Sequence, residues 1–205
     1  MKAVLMSIKP EWCEKIANGW KTMELRKTKP KIELPFKVYI YCTNNKDMLW
    51  VTRENERNCE KIASRCMAKS VGGATKANGK VIGEFVCDYV HEVFPTGLFD
   101  GDDRLTVCGN EDMPLDKYCL TEEQVRAYIG DKKAYGWHIS DLVIYNRPKE
   151  LSEFYRKCED YPACDDCEFC SWTIEEGYEC VCDYEKPLKR PPQSWCYTEE
   201  HNVEE

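Results

Sequence analysis

The sequence predicts an α+β fold in which short strands form a small β-barrel with peripheral helices, followed by a cysteine-rich C-terminal extension. Strand-like patterning recurs in four stretches, helical patterning is confined to three, and seven of the 14 cysteines crowd into residues 158–196. Many short strands with few helices favour a small barrel over a layered α/β sheet. A chain of 205 residues has room for one domain with a proper core and a small appendage. The expected division is a barrel domain over residues 1–147, with a helical insertion near 54–69, and an extension over residues 148–205 that packs back on the barrel.

The first element reads as a short helix, with Pro10 in its first turn, Trp12, Cys13, Ile16 and Ala17 on one face, and Gly19 closing it. Residues 20–27 then alternate as a strand, Met23 and Leu25 on one face and Thr22, Glu24 and Arg26 on the other. Residues 36–42 are rich in β-branched and aromatic side chains and read as a second strand. Over residues 54–69 the period turns helical, with Cys59, Ile62, Ala63, Cys66 and Met67 on one stripe. On that helix Arg57, Lys61, Arg65 and Lys69 recur every fourth residue and form a basic ridge. Residues 81–90 and 137–145 read as a third and a fourth strand, and Thr121 with Gln124 reads as a capping box opening a helix that runs to Ile129.

Charge is unevenly spread beneath a net value of −8. Residues 1–87 hold 17 basic against 9 acidic side chains, whereas residues 88–205 hold 12 against 28. A basic half can dock a polyanion at short range even in an acidic protein. No apolar run approaches the roughly 20 residues that cross a bilayer, and the N-terminal apolar stretch is too short for a leader, so a cytoplasmic protein is expected. The glycine-rich residues 71–80 invite comparison with a phosphate-binding P-loop. Ala74 stands where that spacing needs glycine, and Val81 stands where it needs a magnesium-binding hydroxyl, which excludes the comparison.

The stretch Gly19-Trp20-Lys21-Thr22-Met23-Glu24-Leu25-Arg26, after Pro10-Glu11-Trp12, resembles the Gly-x-Lys-x-x-Glu-x-Arg signature of the ASCH family. Residues 79–85 and 135–139 also resemble ASCH strands, and Arg190-Pro191-Pro192-Gln193-Ser194-Trp195-Cys196-Tyr197 resembles the ending of bacterial and phage-borne members. The resemblance covers about residues 3–147. It implies a PUA-like β-barrel, a cleft near residues 19–26, and an association with RNA binding and processing. Within that cleft Lys21, Arg26 and the following Lys27 would hold a phosphate or base edge, the guanidinium as a planar fork and the ammonium as a point charge. Glu24 would accept a proton from an exocyclic amine. One branch of the family deacetylates N4-acetylcytidine with a Lys-Thr-x-Thr stretch. Here Glu24 takes the place of the second threonine, and a carboxylate does not replace a lysine-activated hydroxyl. The RNA- or nucleotide-binding reading therefore leads, with Arg57, Lys61, Arg65 and Lys69 as positioning contacts. The alternatives are a hydrolase of a modified nucleoside or RNA using Lys21 and Glu24, and an adaptor that binds a protein partner through its acidic, cysteine-rich half. With Glu24 facing the cleft beside Lys21 and Arg26, Glu24→Gln is expected to change ligand preference more than stability.

With reduced cytosolic thiols, metal ligation is the best use of the cysteine cluster. Cys164-x-x-Cys167 and Cys167-x-x-Cys170 have zinc-knuckle spacing, and Cys180-x-Cys182 completes a four-thiolate set, so a structural zinc is expected. An iron–sulfur cluster is less favoured because Ile174 stands where the ferredoxin run needs cysteine. Unligated structural thiols are the remaining alternative. His138 is expected to be a hydrogen-bonded core residue, Asp100, Asp102 and Asp103 a solvated turn, and Trp50, Trp137 and Trp195 chiefly core aromatics.

Overall fold

In a computed structural model, residues 2–52, 63–65, 73–95, 105–108, 115–157 and 185–200 are described. The chain opens with β1 (Lys2–Ile8), in which every residue after Lys2 is buried. A strand covered on both faces belongs inside a sheet. Accordingly β1 pairs in parallel with β3 (Phe36–Cys42) on one side and antiparallel with a late strand, Trp195–Glu199, on the other. Sequence reading missed this strand because burial on both faces removes the period-two alternation.

After α1 (Pro10–Ala17) and β2 (Met23–Arg26) come three short strands, β4 (Trp50–Val51), β5 (Ala63–Ser64) and β6 (Thr75–Lys76), which form a small sheet with β4 in the middle. The helix expected over residues 54–69 therefore does not hold at Ala63 and Ser64. Their partners are Val51 and Trp50, and the Asn18 side chain donates to the Ala63 carbonyl at 2.8 Å. Long-range pairing has overridden local periodicity there. The rest of that stretch lies outside the described residues.

The remaining strands are β7 (Lys80–Cys87), β8 (Val90–Pro95), β9 (Leu105–Cys108), β10 (Ala134–His138), β11 (Ser140–Glu150), β12 (Tyr155–Lys157), β13 (Glu185–Pro187) and β14 (Trp195–Glu199). A mixed five-stranded sheet has the order β11-β7-β3-β1-β14, and a four-stranded sheet the order β2-β10-β8-β9. Residues 81–90, expected as one strand, are two strands in different sheets, and so are residues 137–145. The changes of sheet fall at Asp88-Tyr89 and at Ile139, and the His138 amide joins them by donating to the Tyr89 carbonyl. β-Branched and aromatic residues continue across both corners, so propensity alone reads each as one long strand.

The result is the expected α+β class with peripheral helices, built as packed sheets. Strand pairing among the described residues does not close them into a continuous cylinder. Between the two larger sheets lie Met6, Val38, Ile40, Phe85 and Trp137, with Cys13 and Ile16 of α1 covering one side. Trp137 meets Phe36 edge-on, with centroids 5.5 Å apart. On the other face of the five-stranded sheet, Leu5, Tyr39, Val81 and Phe154 form a second cluster. A third lies beneath α2 (Glu122–Ile129), where Val125 and Ile129 cover Met23, Leu25 and Val93. The capping box of α2 forms as expected, with Thr121 and Gln124 each accepting from the other's backbone amide. At Gly83 β11 passes so close that a Cβ would sit 2.3 Å from the Val143 carbonyl oxygen. No helix among the described residues is long and apolar enough to cross a membrane.

Candidate functional site

The Gly19–Arg26 stretch is placed by the end of α1. Gly19, at φ 74°, donates to the Ile16 carbonyl, and the Trp20 and Lys21 amides both return to the Lys15 carbonyl. This tight turn needs the left-handed conformation that glycine adopts without strain. The chain then enters β2, an edge strand whose four residues are nevertheless all buried. Met23 and Leu25 enter the cluster beneath α2, and Glu24 and Arg26 alternate to the opposite face, as the pattern predicts.

Lys21, Glu24 and Arg26 form one buried charged group. Lys21 Nζ lies 3.2 Å from Glu24 Oε2, and Arg26 Nη2 lies 3.0 Å from Glu24 Oε1. Their residues are only 3%, 6% and 7% exposed, so the group is enclosed rather than a solvated network on an open strand. Burial makes each partner matter, because an unpaired charge in a dry site is costly. Lys21 Nζ also donates to the Tyr118 carbonyl at 2.8 Å and lies 5.5 Å from the centre of the Trp12 ring. Arg26 reaches out of its own sheet. Its Nη2 donates to the Ser7 carbonyl of β1 at 2.8 Å, and its Nη1 donates more loosely to the Ser194 carbonyl and hydroxyl at 3.4 and 3.3 Å. The Arg26 Nε is buried and has no hydrogen-bond partner among the described residues.

Two cations thus face one carboxylate, and one guanidinium donor is left over. A buried guanidinium N–H is a donor that only an oxygen or nitrogen acceptor satisfies. Glu24, with a cation against each oxygen, is engaged as an acceptor, and both cations compete with any electrophile for its lone pairs. Sequence reasoning missed Ser7 and Tyr118, which contribute backbone carbonyls and carry no sequence signal. Ser194 lies within the C-terminal stretch already noted, and its contact with Arg26 shows what that stretch does. It closes over the group, with the Ser7 hydroxyl donating to the Pro192 carbonyl at 2.7 Å.

Of the other expected site residues, Lys27 and Arg65 are described. Lys27 is exposed, with its ammonium 5.0 Å from the centre of the Tyr128 ring. Arg65 is bound to α1 rather than standing in a free ridge. Its Nε lies 2.7 Å from Glu14 Oε2 and its amide donates to Glu14 Oε1 at 3.1 Å. Arg57, Lys61 and Lys69 lie outside the described residues, as do Cys164, Cys167, Cys170, Cys180 and Cys182 and the aspartates at 100, 102 and 103. Among the described residues no cluster of metal-ligating side chains occurs.

Beside Lys21 runs a second polar chain. The Tyr118 hydroxyl bonds to His91 Nε2 directly over Gly136, where a Cβ would come within 2.0 Å of that hydroxyl and 2.5 Å of the ring nitrogen. Only glycine admits this crossing. Burial, reinforced by the charge of His138, lowers the His91 pKa, and burial raises that of Tyr118. His138 is not the core residue expected. It sits at the rim, its side chain 28% exposed, with Nδ1 2.6 Å from Asp88 Oδ1 and its ring stacked 4.5 Å from Tyr89. The corner at residues 88 and 89 brings it to the surface.

No family model and no curated protein matches the chain. Among solved structures, the chain is similar to the ASCH protein of Zymomonas mobilis, at 20% identity over 73% of each chain and a TM-score of 0.44. It is also similar to a tyrosine-to-phenylalanine variant of that protein, at 20% identity over 74% of this chain and 77% of that one, with a TM-score of 0.42.

Proposed function

We propose that this chain binds RNA or a nucleotide, and that Lys21, Glu24 and Arg26 hold a polar group of the bound ligand. The unpartnered Arg26 Nε, inside a buried group of two cations and one carboxylate, carries this reading. A phosphate or carbonyl oxygen would satisfy that donor and balance the surplus positive charge, while Glu24 would accept from an exocyclic amine. Entry would be past Ser194, whose bonds to Arg26 are the longest that side chain makes. The ASCH-like signature in the sequence supports the same ligand class. Engagement of Glu24 by two cations favours holding over hydrolysis. Zinc on four of Cys164, Cys167, Cys170, Cys180 and Cys182, and a cytoplasmic location that keeps these thiols reduced, belong to the same proposal. The test is equilibrium binding of the four ribonucleoside 5′-monophosphates. At least one should bind, and Lys21→Gln should weaken it about tenfold or more, the worth of a charge-assisted hydrogen bond. Absence of binding by all four to folded protein would overturn the proposal.

A further inference from the structure

Beyond Arg26 the chain leaves β2 into a loop that bears Lys27, Lys29 and Lys31, all exposed. Side chains of β14 anchor this loop. Trp195 Nε1 donates to the Thr28 hydroxyl at 3.0 Å, and the Lys31 amide donates to the Tyr197 hydroxyl at 2.7 Å. The ammonium groups lie over aromatic rings, Lys27 at 5.0 Å from the centre of Tyr128 and Lys29 at 5.3 Å from that of Tyr135. Acidic groups interrupt the face at Glu33, exposed on the same loop, and at Glu92, which takes Lys133 at 3.0 Å. Tyr135 is paired in register with Arg26, which places it beside the buried charged group, and Tyr128 of α2 is 39% exposed.

We propose that this face is a docking track for the sugar–phosphate backbone of a single-stranded nucleic acid, running past the site at Lys21, Glu24 and Arg26. The inference rests on the nucleotide-binding reading of that site and extends it from one nucleotide to a strand. Lysines on an anchored loop supply the charge that phosphates need and lose less entropy on binding than the same residues on an untethered one. Tyrosine faces beneath them offer stacking to bases once the ammonium groups turn to phosphate, which favours unpaired strands over a duplex. A base presented to a buried group must likewise be unpaired.

The experiment compares wild type with Lys29→Gln/Lys31→Gln, using a labelled random-sequence oligoribonucleotide of about ten nucleotides and, separately, the ribonucleoside 5′-monophosphates. Both substituted lysines are exposed, and a melting curve checks that the variant folds. Wild type should bind the oligonucleotide more tightly than any monophosphate. Loss of two phosphate contacts should make the slope of log affinity against log salt shallower by about 1.4, a difference of about sevenfold between about 50 and 200 mM salt. Monophosphate binding should be unchanged. An unchanged slope, or an oligonucleotide bound no more tightly than a monophosphate, would overturn the track while leaving the nucleotide site standing. Failure of wild type to bind either ligand would overturn both.

Discussion

Glu24→Gln gives the most direct test of how the charged group is held. The substitution keeps the volume and one acceptor oxygen, and removes the only carboxylate lying within 3.2 Å of Lys21 and Arg26 among the described ion pairs. With the Glu24 side chain 8% exposed, water cannot readily take over its role. Breaking a buried pair by removing one partner costs about 3–5 kcal/mol, of which the remaining amide oxygen recovers about 1 kcal/mol. A net loss of about 2–4 kcal/mol follows. For a chain of this size that lowers the melting temperature by about 5–15 °C. The expectation from sequence, that Glu24→Gln would alter ligand preference more than stability, did not include this cost, because the burial of Glu24 comes from distant segments. Glu150→Gln is the control. It removes a carboxylate, 59% exposed, from its 2.5 Å pair with Lys80 and should shift melting by less than about 3 °C. Thermal melts of the two variants side by side decide the matter. Equal small shifts would refute the buried group as a structural unit, and with it the argument that Glu24 is held in place by both cations.

Lowering of the His91 pKa by burial makes the folded state resist protonation, so its contribution to stability is complete above the unfolded value of 6.5 and is lost as pH falls through the folded one. The slope is at most about 1.4 kcal/mol per pH unit. Denaturant titrations of wild type and His91→Gln between pH 7 and pH 5 should diverge, and parallel curves would refute the assignment. Cys13, Cys42 and Cys87 are fully buried, with burial pushing the Cys87 thiol up to about 12. Alkylation of native protein followed by peptide mass spectrometry should spare all three, and rapid modification of any would contradict their placement. Elemental analysis should find one zinc per chain, with loss of metal and a lower melting temperature in Cys164→Ser/Cys167→Ser. A metal-free wild type, or a variant with unchanged metal content and melting, would rule out that site.

What the sequence made legible depended on whether the determining forces were local. The α1 helix, the capping box of α2 and the strand over Phe36–Cys42 all follow from proline placement, reciprocal caps or β-branched content within a few residues. The alternation of Glu24 and Arg26 away from Met23 and Leu25 was likewise readable. Their burial was not, since it comes from Ser7, Tyr118 and Ser194, three segments far apart in the chain. The same limit explains the unseen corners at residues 88–89 and 139, which are set by the sheets they join. It also explains Ala63 and Ser64, where cross-strand partners outweigh a helical stripe.

The pairing of β1 with β14 also bears on how the chain acquires its structure. Between Ser7 and Pro192, bonded to each other, lie 185 residue steps. At ribosomal rates of about 5–20 residues per second, β1 waits on the order of 10–40 s for the partner of its outer edge to be made. Throughout that interval its unpaired backbone is a template for any other extended chain, and Arg26 lacks the Ser194 end of its clasp. Enclosure of the charged group therefore waits on residues 192–194, and a nascent chain halted before residue 194 would carry Lys21, Glu24 and Arg26 without the segment that encloses them.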